Sequence, residues 1–195
     1  GPRCVAVDAA EPDGRGGKGT VKVLARRKLL RREALLVPAE ALQPGARGHG
    51  MLGDVSLQFA SAGHIMGSAQ AILTHSGTRA VVSGDYKRRE DPSCSPLVLV
   101  QCDIFITEAS FGLPVFRHPD TETEIVKLIR SLERFPEKTH LIGVYALGKC
   151  QRVIRHLRGL GYHDSIYIHG ALRELCKLYE RHNIELGELI PVTAE

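Results

Sequence analysis

The sequence of 195 residues predicts an α/β protein, and three observations support that class. Residues 55–59 alternate apolar and polar side chains, as a strand with one buried face does. Two apolar runs, 71–74 and 79–83, flank His75-Ser76-Gly77-Thr78 and indicate a hairpin with a glycine-containing turn. From residue 103 onward, strand-like and helix-like segments alternate, which favours parallel strands covered by helices.

The elements of the second half follow from hydrophobic periodicity and from Gly or Pro at their ends. In order they are a buried strand over 103–107, a helix over 121–135, a strand over 141–145, a helix over 148–160, a strand over 165–168 and a helix over 171–182. The side chains predicted to face the core from the first two helices are Ile125, Leu128, Ile129, Leu132, Val153, Ile154, Leu157 and Leu160. Pro136 and Gly161 end these two helices.

Composition changes near residue 50. Residues 1–50 are rich in Ala, Arg, Gly and Pro, contain no aromatic side chain, and carry ten Lys or Arg against five Asp or Glu. Three interpretations remain open: a basic arm that binds nucleic acid, a poorly ordered solvated segment, or an off-frame translation of GC-rich DNA. We therefore predict an atypical, poorly structured segment 1–50, a second region 51–114 and an α/β region 115–195.

Several classes of protein are excluded by the sequence. The apolar runs are far shorter than the ~20 residues that a membrane span needs, so we expect no membrane association. No signal-peptide pattern precedes residue 50, and five cysteines without a CxxC pair fit neither a disulfide framework nor a thiolate zinc site. These features predict a cytoplasmic protein in a reducing compartment.

Two polar segments follow predicted strands and are candidates for a metal site. His64 lies in Ser-Ala-Gly-His-Ile-Met-Gly-Ser, and Asp85 follows the apolar strand that ends the hairpin. Since one hairpin separates them, both side chains can project from the same sheet edge, and imidazole and carboxylate are ligands for zinc or manganese. Each motif alone is weak, because a histidine after a strand is more often structural and a Gly-Asp pair is most often part of a turn.

Three further segments place polar residues at strand ends. Glu108 emerges from a predicted buried strand, where its alternative role is to bind backbone amides in a turn. Lys149 and Arg152 lie at the start of a predicted helix, where they and the helix amides can meet a phosphate or can simply be solvated. His169 stands at another junction between a strand and a helix.

These five segments, AGHIMGSAQ, SGDYKRREDP, CDIFITEASFGLP, YALGKCQR and YIHGA, resemble in order and spacing the metallo-β-lactamase/β-CASP nucleases. The resemblance covers residues 48–195 and is strongest to the bacterial DNA-ligase-associated exonucleases, often described as mRNA 3′-end processing factors. It implies a partial metallo-β-lactamase αββα sandwich followed by the start of a β-CASP-like α/β domain. The implied activity is metal-dependent hydrolysis of phosphodiesters in DNA or RNA, in DNA repair and ligation or in RNA 3′-end processing.

The resemblance also implies roles for particular residues. His64 and Asp85 match metal ligands of the family, with Asp85 bridging two divalent ions, zinc or manganese, and Glu108 matches a catalytic acidic residue. The implied partners are single-stranded DNA or RNA and a DNA ligase or helicase repair system. Binding of nucleic acid by Lys149 and Arg152 is a separate hypothesis that no family motif carries.

The sequence departs from the family in one respect that matters for activity. The family motif His-x-His-x-Asp-His is absent, only His49 precedes His64, and further family histidines are expected beyond residue 195. We therefore expect an internal fragment with an incomplete metal site and little activity of its own. The alternatives are a non-catalytic β-CASP-like subunit of a nucleic-acid-processing complex and a metallo-hydrolase of a small substrate such as a thioester.

Overall fold

The computed structural model describes residues 3–6 and 49–192. These residues form two compact units. The described residues up to Glu90, together with Ser95–Phe116, make the first unit, while Asp91–Cys94 and the residues from Arg117 onward make the second. The α/β class predicted from the sequence is confirmed, with a six-stranded sheet in the first unit and helices with a two-stranded sheet in the second.

The first unit is built on one mixed sheet. Its strands are β1 (Arg3–Ala6), β2 (His49–Leu52), β3 (Val55–Ser61), β4 (Ala69–His75), β5 (Thr78–Val82) and β6 (Ile104–Thr107). Their order across the sheet is β1-β6-β5-β4-β3-β2. The pairs among β2, β3, β4 and β5 are antiparallel, whereas β6 is parallel to both β5 and β1.

The predicted hairpin is the centre of this sheet. β4 and β5 pair from His75↔Thr78 onward, and Ser76 (φ 47°) and Gly77 (φ 78°) supply the left-handed conformations that a two-residue turn needs. Ile72 on β4 and Val81 on β5 are buried and oppose each other across the pair. The hairpin thus brings the chain that follows β5 back to the edge where β3 ends.

β6 confirms the predicted strand but differs in burial. All four of its side chains are half-buried, whereas the sequence predicts a buried strand. Within the described part of the first unit there is no helix to cover its faces. The strand layer of the expected sandwich is therefore described, and its helical layers stay a prediction.

The second unit contains the three described α-helices, α1 (Thr121–Arg134), α2 (Lys149–Gly159) and α3 (Arg173–Arg181), and a 3-10 turn, Gly170–Leu172, that precedes α3. The N-terminus of α1 is capped by Asp120, whose carboxylate accepts from the Thr123 amide at 3.0 Å, and Pro136 follows its end. Three of the helices' buried residues, Ile125, Ile154 and Leu157, are among those predicted to face the core. Leu160 is more exposed than predicted, because α2 has already ended there.

The two remaining strands, β7 (Ile166–His169) and β8 (Leu189–Val192), pair in parallel, as the alternation of strands and helices predicts. The Arg158 side chain of α2 hydrogen-bonds to the backbone of the segments that precede β7 and β8. Its guanidinium donates to the carbonyls of Tyr162, Asp164, Leu186 and Glu188 at 2.7–3.0 Å. A single half-buried arginine therefore donates to four backbone carbonyls, of which that of Glu188 also accepts from the Ile166 amide of β7 at 3.1 Å.

The strand predicted over 141–145 is wrong. The segment precedes α2 without regular structure, and Leu141, Ile142 and Tyr145 are exposed. Its apolar, β-branched composition favours a strand, but within the described residues the amides and carbonyls of 141–144 have no backbone partner. Strand propensity alone does not form a strand when no neighbouring strand is present.

The prediction for residues 1–50 lies mostly outside the described residues, since 7–48 are not described, and it stays a prediction. The described parts are β1, which pairs with β6, and the first two residues of β2. Among the described residues, no helix is long and apolar enough to cross a bilayer.

Candidate functional site

The candidate site lies at one edge of the six-stranded sheet, where β3, β5 and β6 end. The segment 62–68, called here the His64 turn, connects β3 to β4. Asp85 follows β5, and Glu108 directly follows β6. Because β5 and β6 are parallel neighbours, with Val82 opposite Ile106, the chains that follow them leave the sheet at the same edge.

The His64 turn is closed by its own serine. The Ser68 hydroxyl accepts from the amides of His64 and Ile65 at 3.1 and 3.2 Å and donates to the Ile65 carbonyl at 2.8 Å. The Ala62 amide donates to the Ser68 carbonyl at 3.0 Å. A serine four residues after the histidine therefore replaces the regular pairing that this stretch lacks.

Gly63 is required by the close packing of the turn. It has φ +68°, and a Cβ at this position would lie 2.7 Å from the Leu97 amide nitrogen and from the Lys87 carbonyl oxygen. Backbone atoms of this kind cannot move aside as a flexible side chain can. Glycine is thus required before His64 both by conformation and by space.

The structure brings His64 and Asp85 together. The His64 Nε2 atom lies 3.8 Å from Asp85 Oδ2, and the two side chains are 43% and 72% exposed. The prediction that they converge at one sheet edge agrees with this geometry, while their role as metal ligands stays a prediction.

His64 and Asp85 offer some of the donors that a metal ion needs. Imidazole and carboxylate are the right types of ligand for zinc or manganese, and their atoms are close enough to share one ion. Within the described residues, however, no group of three or more His, Cys, Asp or Glu side chains is suited to hold a metal. Since a catalytic zinc needs three protein ligands, the described residues supply only part of such a site.

Glu108 lies at the same edge but is already engaged. Its Oε2 atom accepts from the Ser110 amide at 2.8 Å, which is the turn interaction foreseen as the alternative to catalysis. The Ser83 amide continues the β5–β6 ladder by donating to the Ile106 carbonyl at 2.9 Å. This bond ties the segment before Asp85 to the strand before Glu108, and the catalytic role of Glu108 stays a prediction.

The start of α2 uses its amides within the chain. Gln151 caps it by accepting from the Gly148 amide at 2.8 Å. The Lys149 amide donates to Leu147 O at 3.1 Å, and the Cys150 amide donates to Tyr145 O at 3.1 Å. These donors are therefore not aimed outward at a phosphate, contrary to what a helix N-terminus suggests.

The two basic side chains at this helix differ in their surroundings. Lys149 is exposed, and its Nζ atom lies 5.1 Å from the centre of the exposed Tyr145 ring. Arg152 is only 26% exposed: its Nη2 donates to Thr121 Oγ1 at 2.7 Å, and its Nε lies 3.6 Å from Asp91 Oδ2. Lys149 is thus presented to solvent, whereas Arg152 is engaged inside the second unit.

Two residues of structural importance were not singled out from the sequence. Asp91 is buried and forms the ion pair with Arg152, while its Oδ1 accepts from the Ser93 amide and hydroxyl at 2.8 and 2.6 Å. Lys87 contacts the His64 turn through its amide and its ammonium. The Asp-Pro-Ser sequence is a turn signal that could have found Asp91, but no sequence signal points to Lys87.

The chain is similar in sequence to several known proteins. It is 26% identical over 74% of its length to the probable DNA ligase of Opitutus terrae, and 28% identical over 69% to the probable RNase MJ4 of Methanocaldococcus jannaschii. It is 31% identical over 48% of its length to the endoribonuclease ysh1 of Aspergillus fumigatus. The chain spans 14%, 33% and 11% of the lengths of these three relatives. No protein-family model matches it.

These relatives confirm the resemblance to the metallo-β-lactamase/β-CASP nucleases that the five segments indicate. Two of the three are ribonucleases by name, and the third is named as a DNA ligase. The similarity to these three relatives extends over at most three quarters of the chain.

Proposed function

We propose that this chain is part of a metal-dependent phosphodiester hydrolase acting on single-stranded DNA or RNA. The observation that carries the proposal is the approach of His64 Nε2 to within 3.8 Å of Asp85 Oδ2 at an exposed sheet edge. The nuclease names of the relatives support hydrolysis of nucleic acid, and the relative named as a DNA ligase supports a link to DNA ligation and repair. A cytoplasmic location is proposed on the cysteine usage alone.

In this proposal the chain's own residues have distinct tasks. His64 would hold one divalent ion through Nε2, and Asp85 would bridge two ions through its carboxylate. Zinc or manganese bound there supplies positive charge that stabilises the phosphoryl group as negative charge develops on it. Glu108 is proposed as a catalytic carboxylate at the neighbouring strand end, and further ligands must come from outside the described residues.

Lys149 is proposed to contact the nucleic acid backbone. Its ammonium is exposed beside the ring of Tyr145, and cations of this kind bind phosphates in a manner that weakens with salt. Arg152, the second cation proposed from the sequence, is held by Asp91 and Thr121. We therefore give Lys149 the larger part in phosphate binding.

The alternative is a non-catalytic subunit that binds nucleic acid. It is favoured by one observation, the absence of a third metal-binding side chain near His64 and Asp85 within the described residues. The two functions differ in what Asp85 does. A catalytic site requires its carboxylate for zinc binding and cleavage, whereas a binding subunit does not.

The experiment measures zinc binding and cleavage by the 195-residue chain. Zinc affinity is determined by calorimetry for the wild type, His64→Gln, Asp85→Asn and the control Glu90→Gln, an exposed carboxylate in the same segment. We expect weak zinc binding that both site variants abolish and the control preserves. Zinc binding that is equal in all four proteins would refute the site.

Cleavage is assayed on labelled single-stranded DNA and RNA with added zinc or manganese. We expect little or none, because two ligands do not fix two ions in place. Cleavage that is lost in Asp85→Asn would show that this chain completes its own site and that the expectation of an incomplete one is wrong. If the chain binds the nucleic acid without cleaving it, and Asp85→Asn binds it equally well, the result would favour the non-catalytic subunit.

A further inference from the structure

We propose that Lys87 is a positioning residue that fixes the backbone of His64 beside Asp85. The proposal rests on the function proposed above, in which these two side chains act together. Lys87 lies two residues after Asp85, in the segment that follows β5, and its side chain is half-buried. The segment that carries one side chain of the pair thus also contacts the turn that carries the other.

Lys87 meets the His64 turn at three points. Its amide donates to the Ala62 carbonyl at 3.1 Å. Its Nζ atom donates to the His64 carbonyl at 3.3 Å. Its own carbonyl oxygen packs so closely on Gly63 that a Cβ there would lie 2.7 Å away. Three consecutive residues of the turn, 62–64, are therefore in contact with one lysine.

The side-chain contact has a specific consequence for the imidazole. The peptide that joins His64 to Ile65 is held on both sides, because its carbonyl accepts from Lys87 and its amide donates to Ser68 Oγ. A peptide bound at both its oxygen and its nitrogen cannot rotate without breaking one of the two bonds. The Cα of His64 is therefore fixed, and with it the direction from which the imidazole reaches Asp85.

The ammonium is the part of Lys87 that reaches His64 itself. The bond from its amide to Ala62 and the packing on Gly63 belong to the backbone and are kept in any side-chain variant other than proline. A variant of the side chain thus tests the positioning role without removing the whole contact between the two segments. Hydrogen bonds from a charged donor are stronger than neutral ones, so the loss is measurable.

The test compares Lys87→Met, Lys87→Arg and the control Arg88→Met in the 195-residue chain. Arg88 is the exposed neighbour, so its substitution removes the same charge without touching the turn. Amide hydrogen exchange is measured without metal at Ile65, with Ile72 and Val81 as reporters of the intact sheet. Zinc alone is then titrated while the ring signals of His64 are followed by NMR.

We expect Lys87→Met to exchange Ile65 about tenfold faster, the equivalent of one hydrogen bond, with no change at Ile72 or Val81. Zinc affinity at His64 should fall about tenfold, as for the loss of an outer contact to a metal ligand. Lys87→Arg should recover most of both effects, since it keeps a charged donor, and Arg88→Met should match the wild type.

Two results would overturn the proposal. One is an unchanged Ile65 exchange rate in Lys87→Met, and the other is an equal effect of Arg88→Met, which would make the cause general charge. A wild-type chain whose His64 signals ignore zinc would count against the proposed metal site instead. The exchange rates without metal would still decide the role of Lys87 in that case.

Discussion

The substitution Gly63→Ala tests whether the packing of the His64 turn holds the site together. Gly63 has φ +68°, and a Cβ there would lie 2.7 Å from two backbone atoms, Leu97 N and Lys87 O. Gly53 is the matched control, because it has φ +65° and a Cβ there would have no atom within 4 Å. Both glycines lie in the first unit, beside strand β3.

An alanine at Gly63 has two free-energy costs, one from its positive φ and one from its contact with backbone atoms, whereas an alanine at Gly53 has only the first. Alanine in the left-handed region is destabilised by about 1–2 kcal/mol, of which about 0.4–1 kcal/mol is recovered by the restriction of the unfolded chain. Gly53→Ala should therefore cost roughly 1 kcal/mol. Gly63→Ala adds an overpacking cost of about 1–3 kcal/mol, because backbone has to move. We expect a total of roughly 2–4 kcal/mol.

Native-state amide exchange at Ile72 and Val81 measures the stability of the first unit directly. It is preferable to a single denaturation midpoint, since the chain has two units and need not unfold in one step. Zinc titration of both variants adds a functional reading, in which only Gly63→Ala should lose the response of His64. An equal loss of unfolding free energy in the two variants would refute the reasoning, because it would show that the close approach at Gly63 does not affect stability.

Two further predictions concern other parts of the chain. Arg158→Met should destabilise the second unit by about 3 kcal/mol, because it leaves two part-buried carbonyls without this donor. Tyrosine near-UV circular dichroism during urea unfolding measures this loss of stability. The control Arg155→Met removes one exposed hydrogen bond, to Glu185 O, and should cost below about 1 kcal/mol. Equal losses of stability in the two variants would contradict the role given to Arg158. In the first unit, the hydrogen bond from His75 lowers the pKa of Asp54, helped by the backbone of Asp54 itself. The small stabilisation from this pair is thus present above the ordinary carboxyl pKa and is lost as the pH falls through the lowered pKa of Asp54. An NMR titration of Asp54 should show a depressed midpoint, and His75→Gln should restore the ordinary one. An unchanged Asp54 midpoint in His75→Gln would contradict this prediction.

Local patterns predicted the elements whose partners are near in sequence. The hairpin of β4 and β5 was predictable because a glycine-containing turn joins two apolar runs, and α1 because its apolar residues recur at helical spacing and Pro136 follows it. The convergence of His64 and Asp85 followed from the same hairpin, which returns the chain to the edge where β3 ends.

Features that depend on distant partners could not be predicted. The segment 141–145 has the composition of a strand, but composition does not reveal whether a neighbouring strand is present to accept its backbone bonds. Arg152 has the sequence position of a phosphate-binding residue, and only the fold shows that Asp91, sixty-one positions earlier, is its counter-ion. The contact of Lys87 with His64 is likewise set by how two loops pack.

The assignment of Asp91–Cys94 to the second unit has a practical consequence for dissecting the protein. Neither unit is one uninterrupted stretch of sequence, so a gene cut at residue 117 does not yield the second unit intact. Such a product would lack the carboxylate that pairs with the partly buried guanidinium of Arg152, and removing one member of such a pair is destabilising. An expression product that retains residues 91–94, for example by a short linker that joins them to residue 117, should therefore be the more stable of the two.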